Sequence, residues 1–292
     1  MSLFLGCVKE DSINNVTSYD PKKSFTITDL SYGIHSQQKM DLYLPVNRNS
    51  DSTKVFILIH GGGWSAGDKA DFNDLFNGLK STYPDHAVMN LNYQLATPGS
   101  PGYPKQINDI QQAIDEIQLP KYNLSKQYFL FGASAGAHLS MLYGYAFDPN
   151  LFVKGICNTV GPTDLTDTAY INHPIYNAIL GGLVGNVTYS QNPALYAEVS
   201  PAKRVTTDSP KTISFYGSVD PLIPVTQMSL LQKALDANGV ESEATMYMGD
   251  GHGNWSPENA QDYLVKIISF IDKYFKVNFP IQVAFFLYSQ EF

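Results

Sequence analysis

Three observations predict an α/β architecture: a doubly wound, mostly parallel sheet with an antiparallel start and a small cap-like insertion. First, continuous apolar runs of strand length recur at Lys54–Ile59, Ala87–Tyr93, Tyr128–Phe131, Val153–Val160 and Lys211–Tyr216. Such runs suit strands buried on both faces, which is the condition of a parallel sheet covered by crossover helices. Second, stretches with helical apolar spacing fall between the runs, as at Ile107, Ile110, Ile114 and Ile117. Third, Gly-rich polar turns close several of the runs, and alternating strands and helices wind into open sheets of this kind.

Taken in order, residues 1–24 form a lead-in, polar from residue 8 onward, ahead of one domain over 25–277. Residues 25–28 and 40–44 alternate apolar and polar around Gly33, which predicts an antiparallel hairpin. The run ending at Ile59 leads into His60-Gly61-Gly62-Gly63-Trp64. Helices are predicted over 70–80 and 106–118. The run Tyr128–Phe131 leads into Gly132-Ala133-Ser134-Ala135-Gly136, and Leu139, Met141 and Leu142 indicate a helix that begins at once. Residues 165–205 lose the strand–helix rhythm and are rich in Tyr, Asn, Gly and Pro. They are expected to be an insertion over the strand ends. The run ending at Tyr216 leads into Gly217-Ser218-Val219-Asp220-Pro221. A helix over 224–238 stops at Gly239. A last strand over 244–248 leads into Gly249-Asp250-Gly251-His252-Gly253, and Pro257 opens a closing helix over 257–275. The apolar tail over 278–292 is too short to span a membrane and is expected to add an edge strand or an oligomer contact.

Composition excludes several classes. With 43% hydrophobic and 16% charged residues, the 292-residue chain can bury a sizeable core. A net charge of −8, with no Lys/Arg cluster among aromatics, argues against nucleic acid and anionic membranes as partners. Two cysteines make neither a disulfide framework nor a zinc pattern, so no metal site is expected. Cys157 lies in an apolar run and is expected to be buried. Leu3-Phe4-Leu5-Gly6-Cys7 resembles the end of a bacterial lipoprotein leader, with Cys7 as the lipid attachment site and the polar residues after it as a tether. The stretch before Cys7 is shorter than a full leader and lacks a basic start. A lipidated Cys7 would place the domain outside the cytoplasm; without it the expectation is a cytoplasmic protein.

The polar turns converge chemically. Ligands of open α/β sheets bind beyond the carboxyl ends of the strands, and four turns lie there. Ser134, on a tight strand-to-helix turn, is the candidate nucleophile. A serine hydroxyl needs a base, and a histidine oriented by a carboxylate serves at neutral pH. His252 is the candidate base because it sits between glycines after the last strand. His138 is expected to be packed inside a helix and His60 to hold its own loop, while His35, His86 and His173 have no supporting context. Asp220 is the candidate acid. Asp164, after the preceding strand, is the alternative, and Asp250 lies too close to His252 in sequence. The N–H groups of Gly62, Gly63 and Ala135 are the candidate oxyanion donors. Trp64 is a candidate wall of the substrate pocket.

HGGGW, GASAG, GSVDP and GDGHG, in that order, resemble the α/β-hydrolase superfamily over roughly residues 30–275. Within it the chain is similar to the carboxylesterase branch of hormone-sensitive-lipase-like enzymes and bacterial acetylxylan and feruloyl esterases. Tyr103–Ala113 and Ser200-Pro201 are similar to stretches of that branch as well. The resemblance implies hydrolysis of short-chain or carbohydrate-linked carboxylic esters through an acyl-enzyme, without a cofactor. The same parts would serve an arylformamidase or a small-substrate peptidase. A hydrolase-fold binding protein is the reading from another class, and such proteins usually lose a triad member.

Overall fold

The computed structural model describes residues 18–172 and 174–275. Among the described residues, eight strands form one sheet: β1 (Phe25–Ser31), β2 (Lys39–Leu44), β3 (Val55–Ile59), β4 (Ala87–Leu91), β5 (Tyr128–Ala133), β6 (Val153–Thr159), β7 (Lys211–Gly217) and β8 (Ser242–Tyr247). Their order across the sheet is β1-β2-β4-β3-β5-β6-β7-β8. The β1–β2 and β2–β4 pairs are antiparallel, and every later pairing is parallel. The fold is therefore α/β with an antiparallel start.

The continuous apolar runs have a direct cause. In β3, Val55, Ile57 and Ile59 enter one core, while Phe56 and Leu58 enter another on the opposite face. In β5, Tyr128 and Leu130 face the first core, and Phe129 and Phe131 face the second. Helices α2 (Lys105–Ile117), α3 (Ala135–Ala146) and α7 (Thr226–Ala237) cover the first face. Helices α1 (Asn73–Thr82) and α8 (Pro257–Tyr274) cover the second. A strand between two apolar layers has no polar face, so it shows no alternation. The isoleucines of α2 are buried at the predicted spacing. Residues expected to open the helix at 70 instead form a 3-10 turn, Lys69–Phe72, closed by a reciprocal capping box between Asp68 and Asp71.

The segment at 165–205 connects β6 to β7 and carries α4 (Thr168–Ile171), α5 (Pro174–Val184) and α6 (Pro193–Glu198). Buried Gln227 of α7 anchors its start: the Gln227 Oε1 accepts the N–H groups of Thr163 and Asp164, each at 2.8 Å. The last carbonyls of α5 accept from the loop before α2, Gly102 N to Gly182 O at 2.8 Å and Tyr103 N to Leu183 O at 2.9 Å. These bonds satisfy helix-end carbonyls that would otherwise lack partners. They also hold α5 beside the loop after β3, where a Cβ on Gly182 would come within 2.9 Å of Gly63 O. Among the described residues no helix is long and apolar enough to cross a membrane. Cys7 and the 278–292 tail lie outside the described residues.

Candidate active site

Ser134 separates β5 from α3 with φ 52° and ψ −121°, a conformation an L-residue holds only when its surroundings enforce it. Its N–H donates to Thr159 O at 2.8 Å, tying the turn to β6. Backbone crowding explains both flanking glycines. A Cβ on Gly136 would lie 1.9 Å from Ile59 O, and one on Gly132 would lie 2.4 Å from Gly136 O. The strand and the helix touch here by their backbones, which points the serine outward beyond the sheet.

His252 and Asp220 come from the loops after β8 and β7. His252 Nδ1 and Asp220 Oδ2 are 2.7 Å apart, with side chains 23% and 1% exposed. Asp220 also shapes its own turn: Oδ1 accepts the N–H groups of Leu222 at 2.7 Å and Ile223 at 3.0 Å. One oxygen thus caps the turn and the other orients the imidazole, leaving the histidine Nε2 for chemistry. His252 and Ser134 line the same cavity of about 320 Å³, with Phe131, Thr159, Trp255 and Tyr263.

The alternatives are engaged elsewhere. Asp164 meets Lys203 at 3.0 Å and accepts the Thr166 hydroxyl at 2.6 Å. Asp250 accepts from Ser256 N and Asn259 at the start of α8. His60 directs Nδ1 at Gly61 O at 2.8 Å and stacks on Tyr93. His86 pairs with Asp85, and His35 receives the Gln37 N–H. His173 lies outside the described residues. His138 is fully buried, with Nδ1 accepting Trp64 Nε1–H at 3.2 Å and Nε2 facing Val199 O at 2.7 Å. Burial pushes its pKa down to about 4, so the ring is neutral, with the proton on Nε2.

The loop after β3 turns through three left-handed residues, Gly62 (φ 106°), Gly63 (φ 57°) and Trp64 (φ 62°). Glycine adopts this conformation freely; tryptophan must be held. Trp64 O accepts Ala96 N at 2.9 Å and Gln106 Nε2 at 2.7 Å, and the indole is fixed by His138. Among the described residues, the N–H groups of Gly62, Gly63 and Ala135 have no acceptor. Gly63 and Ala135 line a second cavity with Ser134 and Trp64, of about 170 Å³. Its far wall is Tyr170, Tyr176, Ile179 and Leu180 from the 165–205 segment, with Leu222 and Ile223 from the loop that bears Asp220. The sequence reading named none of these six; Tyr176, Ile179 and Leu180 stand at helical i, i+3, i+4 spacing, the one signal that marked a shared face. Among the described residues no cluster of His, Cys, Asp and Glu is placed to hold a metal.

The BD-FAE family model matches residues 40–235. The chain belongs to the BD-FAE family. The matched span takes in the glycine loop, Ser134, the 165–205 segment and Asp220. His252 lies beyond it and is tied to it by the Asp220 hydrogen bond. The chain is 25% identical over 239 residues to Esterase LipC of Mycobacterium tuberculosis (strain ATCC 25618 / H37Rv), covering 76% of this chain and 58% of that protein. It is 28% identical over 244 residues to the probable isoprenylcysteine alpha-carbonyl methylesterase ICMEL2 of Arabidopsis thaliana, covering 76% and 56%. It thus spans a little over half the length of these curated relatives. Among solved structures, a truncated carbohydrate esterase from gut microbiota superimposes with a TM-score of 0.68 at 20% identity, over 88% of this chain and 98% of that one. The bifunctional GH43-CE protein of Bacteroides eggerthii gives 0.69 at 26% identity, over 85% and 38%. These likenesses fix this BD-FAE chain as an α/β-hydrolase fold.

Proposed function

We propose that this protein is a serine carboxylesterase acting on carbohydrate-linked esters of short acyl groups. The observation that carries the reading is the 2.7 Å Asp220–His252 hydrogen bond, on a histidine that shares a cavity with the strained Ser134. Ser134 Oγ attacks the ester carbonyl carbon while His252 Nε2 takes the hydroxyl proton. Asp220 keeps the second nitrogen protonated and stabilises the imidazolium. The tetrahedral oxyanion accepts from the N–H groups of Gly62, Gly63 and Ala135, which hold no other acceptor among the described residues; each such donor contributes about 3 kcal/mol in comparable sites. The C–O bond to the alcohol breaks, His252 protonates the leaving oxygen, and the acyl group remains on Ser134. Water, deprotonated by His252, then hydrolyses the acyl-enzyme.

The carbohydrate part of the reading is supported by the family and by the two solved relatives with carbohydrate-esterase domains. Acetylated and feruloylated xylo-oligosaccharides, beside short p-nitrophenyl esters and matching amides, test it. Turnover of esters is expected, with kcat lowered on the order of 10⁶-fold by Ser134→Ala. Turnover that survives Ser134→Ala would refute the mechanism, and faster amide than ester turnover would favour an amidase. Lipidation of Cys7 belongs to the same proposal as a route to an extracytoplasmic substrate; mass spectrometry of the native protein, showing a diacylglyceryl mass on Cys7 or not, decides it.

A further inference from the structure

One side chain grips the glycine loop from a neighbouring strand end. Tyr93 lies two positions past β4, which runs parallel to β3 and pairs with its last residue, Ile59, through Leu91. The tyrosine is buried, 1% exposed. Its hydroxyl donates to His60 O at 2.7 Å and lies 3.3 Å from Gly61 O. Its ring stacks on the His60 imidazole, with centroids 4.3 Å and planes 11° apart.

The two carbonyls it meets are the ones that orient the loop. His60 Nδ1 faces Gly61 O at 2.8 Å, so that nitrogen carries the ring proton and donates it. His60 Nε2 is buried with no partner among the described residues, so the ring is kept in place by its Nδ1 contact and by the Tyr93 face. A peptide unit is planar and trans, with its C=O and N–H pointing in opposite directions. Whatever grips Gly61 O therefore aims the N–H of Gly62. His60 O is also where the loop meets the elbow: a Cβ on Gly136 would lie 2.3 Å from it. By holding that carbonyl, the Tyr93 hydroxyl sets the loop in register with the turn that bears Ser134 and Ala135.

On the serine-esterase reading, the Gly62 N–H is one of three donors to the oxyanion. We propose that Tyr93 is a positioning residue for the oxyanion hole: its hydroxyl, through His60 O and Gly61 O, holds the Gly61–Gly62 peptide in the plane that points the Gly62 N–H at the developing charge. A donor that strengthens only as charge develops raises kcat and leaves substrate binding unchanged.

Tyr93→Phe keeps a ring to stack on His60 and removes the hydroxyl. Ser134-dependent hydrolysis of p-nitrophenyl butyrate is expected to lose at least about tenfold in kcat, with KM within about twofold, the pattern of an interaction made only in the transition state. The second readout is binding of propyl trifluoromethyl ketone. Ser134 Oγ adds to its carbonyl carbon, the serine proton passes to His252, and the carbonyl oxygen becomes an oxyanion that persists. Affinity for the ketone is expected to fall at least about tenfold, while affinity for the corresponding alcohol, which cannot form the oxyanion, stays within about twofold. A purely structural role for Tyr93 would weaken ketone and alcohol together. Parallel changes in the two, or no change in either, would overturn the proposal. Tyr93→4-aminophenylalanine restores a weaker N–H donor at the same place and is expected to recover part of the loss, ending about threefold below wild type in ketone affinity alone. If Tyr93→Phe does not fold, this variant carries the test, and a ketone affinity equal to that of wild type overturns the proposal. Turnover that survives Ser134→Ala would remove the esterase reading and this inference together. Ser134-dependent turnover in which ketone and alcohol affinities do not separate removes this inference alone.

Discussion

The two walls that meet at Ser134 are held by different means. The β5–α3 wall is backbone against backbone: the Cβ positions of Gly132 and Gly136 are occupied by main-chain atoms of α3 and of the residues ending β3. The facing wall, α4 and α5, presents side chains across open space. A Cβ added at Gly63 would meet only Ile179 Cγ2, at 4.0 Å. The first wall fixes where the nucleophile stands and leaves no freedom in residue type. The second sets the shape of what is bound and can change without moving the nucleophile.

Glycine substitutions separate the walls most sharply. Gly136→Ala forces a Cβ to 1.9 Å from a carbonyl oxygen, and no rotamer relieves a backbone clash. A loss on the order of 5 kcal/mol is expected, read as loss of cooperative urea unfolding or of soluble protein. Gly181→Ala in α5 meets nothing within 4 Å. It is expected to be stabilising by about 0.5–1 kcal/mol through helix propensity alone. Equal losses in the two variants would mean that α5 is as tightly seated as the elbow.

Next in size is the pair that arms the elbow. Asp220→Asn can keep the Oδ1 contacts to Leu222 and Ile223, so the turn and the fold should persist. It would turn an amide N–H toward His252 Nδ1, so that the ring must accept there and carry its proton on Nε2. A fall of about 10⁴ in kcat is expected, with an unchanged melting temperature. Asp164→Asn, a change at a carboxylate held by Lys203 and the Thr166 hydroxyl, should leave kcat within a few-fold, since neither contact reaches His252. The reverse pattern would transfer the acid role to Asp164.

The same contrast explains what could be read from the amino-acid order. Backbone crowding forbids side chains, so it leaves glycines at fixed spacing around Ser134. Burial on two faces removes polar residues, so β3 and β5 stand out as apolar runs. The far wall has no comparable rule. Helix α5 is apolar on most sides, since it packs on the core and lines a cavity, so its period is blurred although Tyr176, Ile179 and Leu180 share a face. Asp164 and Asp220 both follow strands, and only the loop path in space puts the second against His252. That the Tyr170 hydroxyl finds no partner among the described residues leaves no trace in sequence, because it is a property of everything around that atom.

His138 joins the walls, and its protonation offers the smallest and most specific test. It stands one turn along α3 from Ser134, accepts from Trp64 of the glycine loop, and reaches Val199 O at the end of the 165–205 segment. The Trp64 contact requires the neutral ring, since an imidazolium cannot accept the indole N–H, whereas the Nε2–H can donate to Val199 O in either state. Its pKa is depressed from 6.5 to about 4 in the folded protein. Above pH 6.5 the neutral ring is present in both states and its contacts are fully available. As pH falls below 6.5 the unfolded chain takes up a proton that the folded chain refuses, so stability is lost until the folded ring is protonated near pH 4. The loss from this one group is about 3 kcal/mol across that window. His138→Gln cannot titrate. It is expected to be less stable than wild type at pH 7, and the gap should narrow steadily between pH 6.5 and 4 in urea unfolding. A gap that stays constant with pH would mean that the ring is not held neutral, and that the link between the glycine loop and the far wall does not depend on the Nδ1 lone pair.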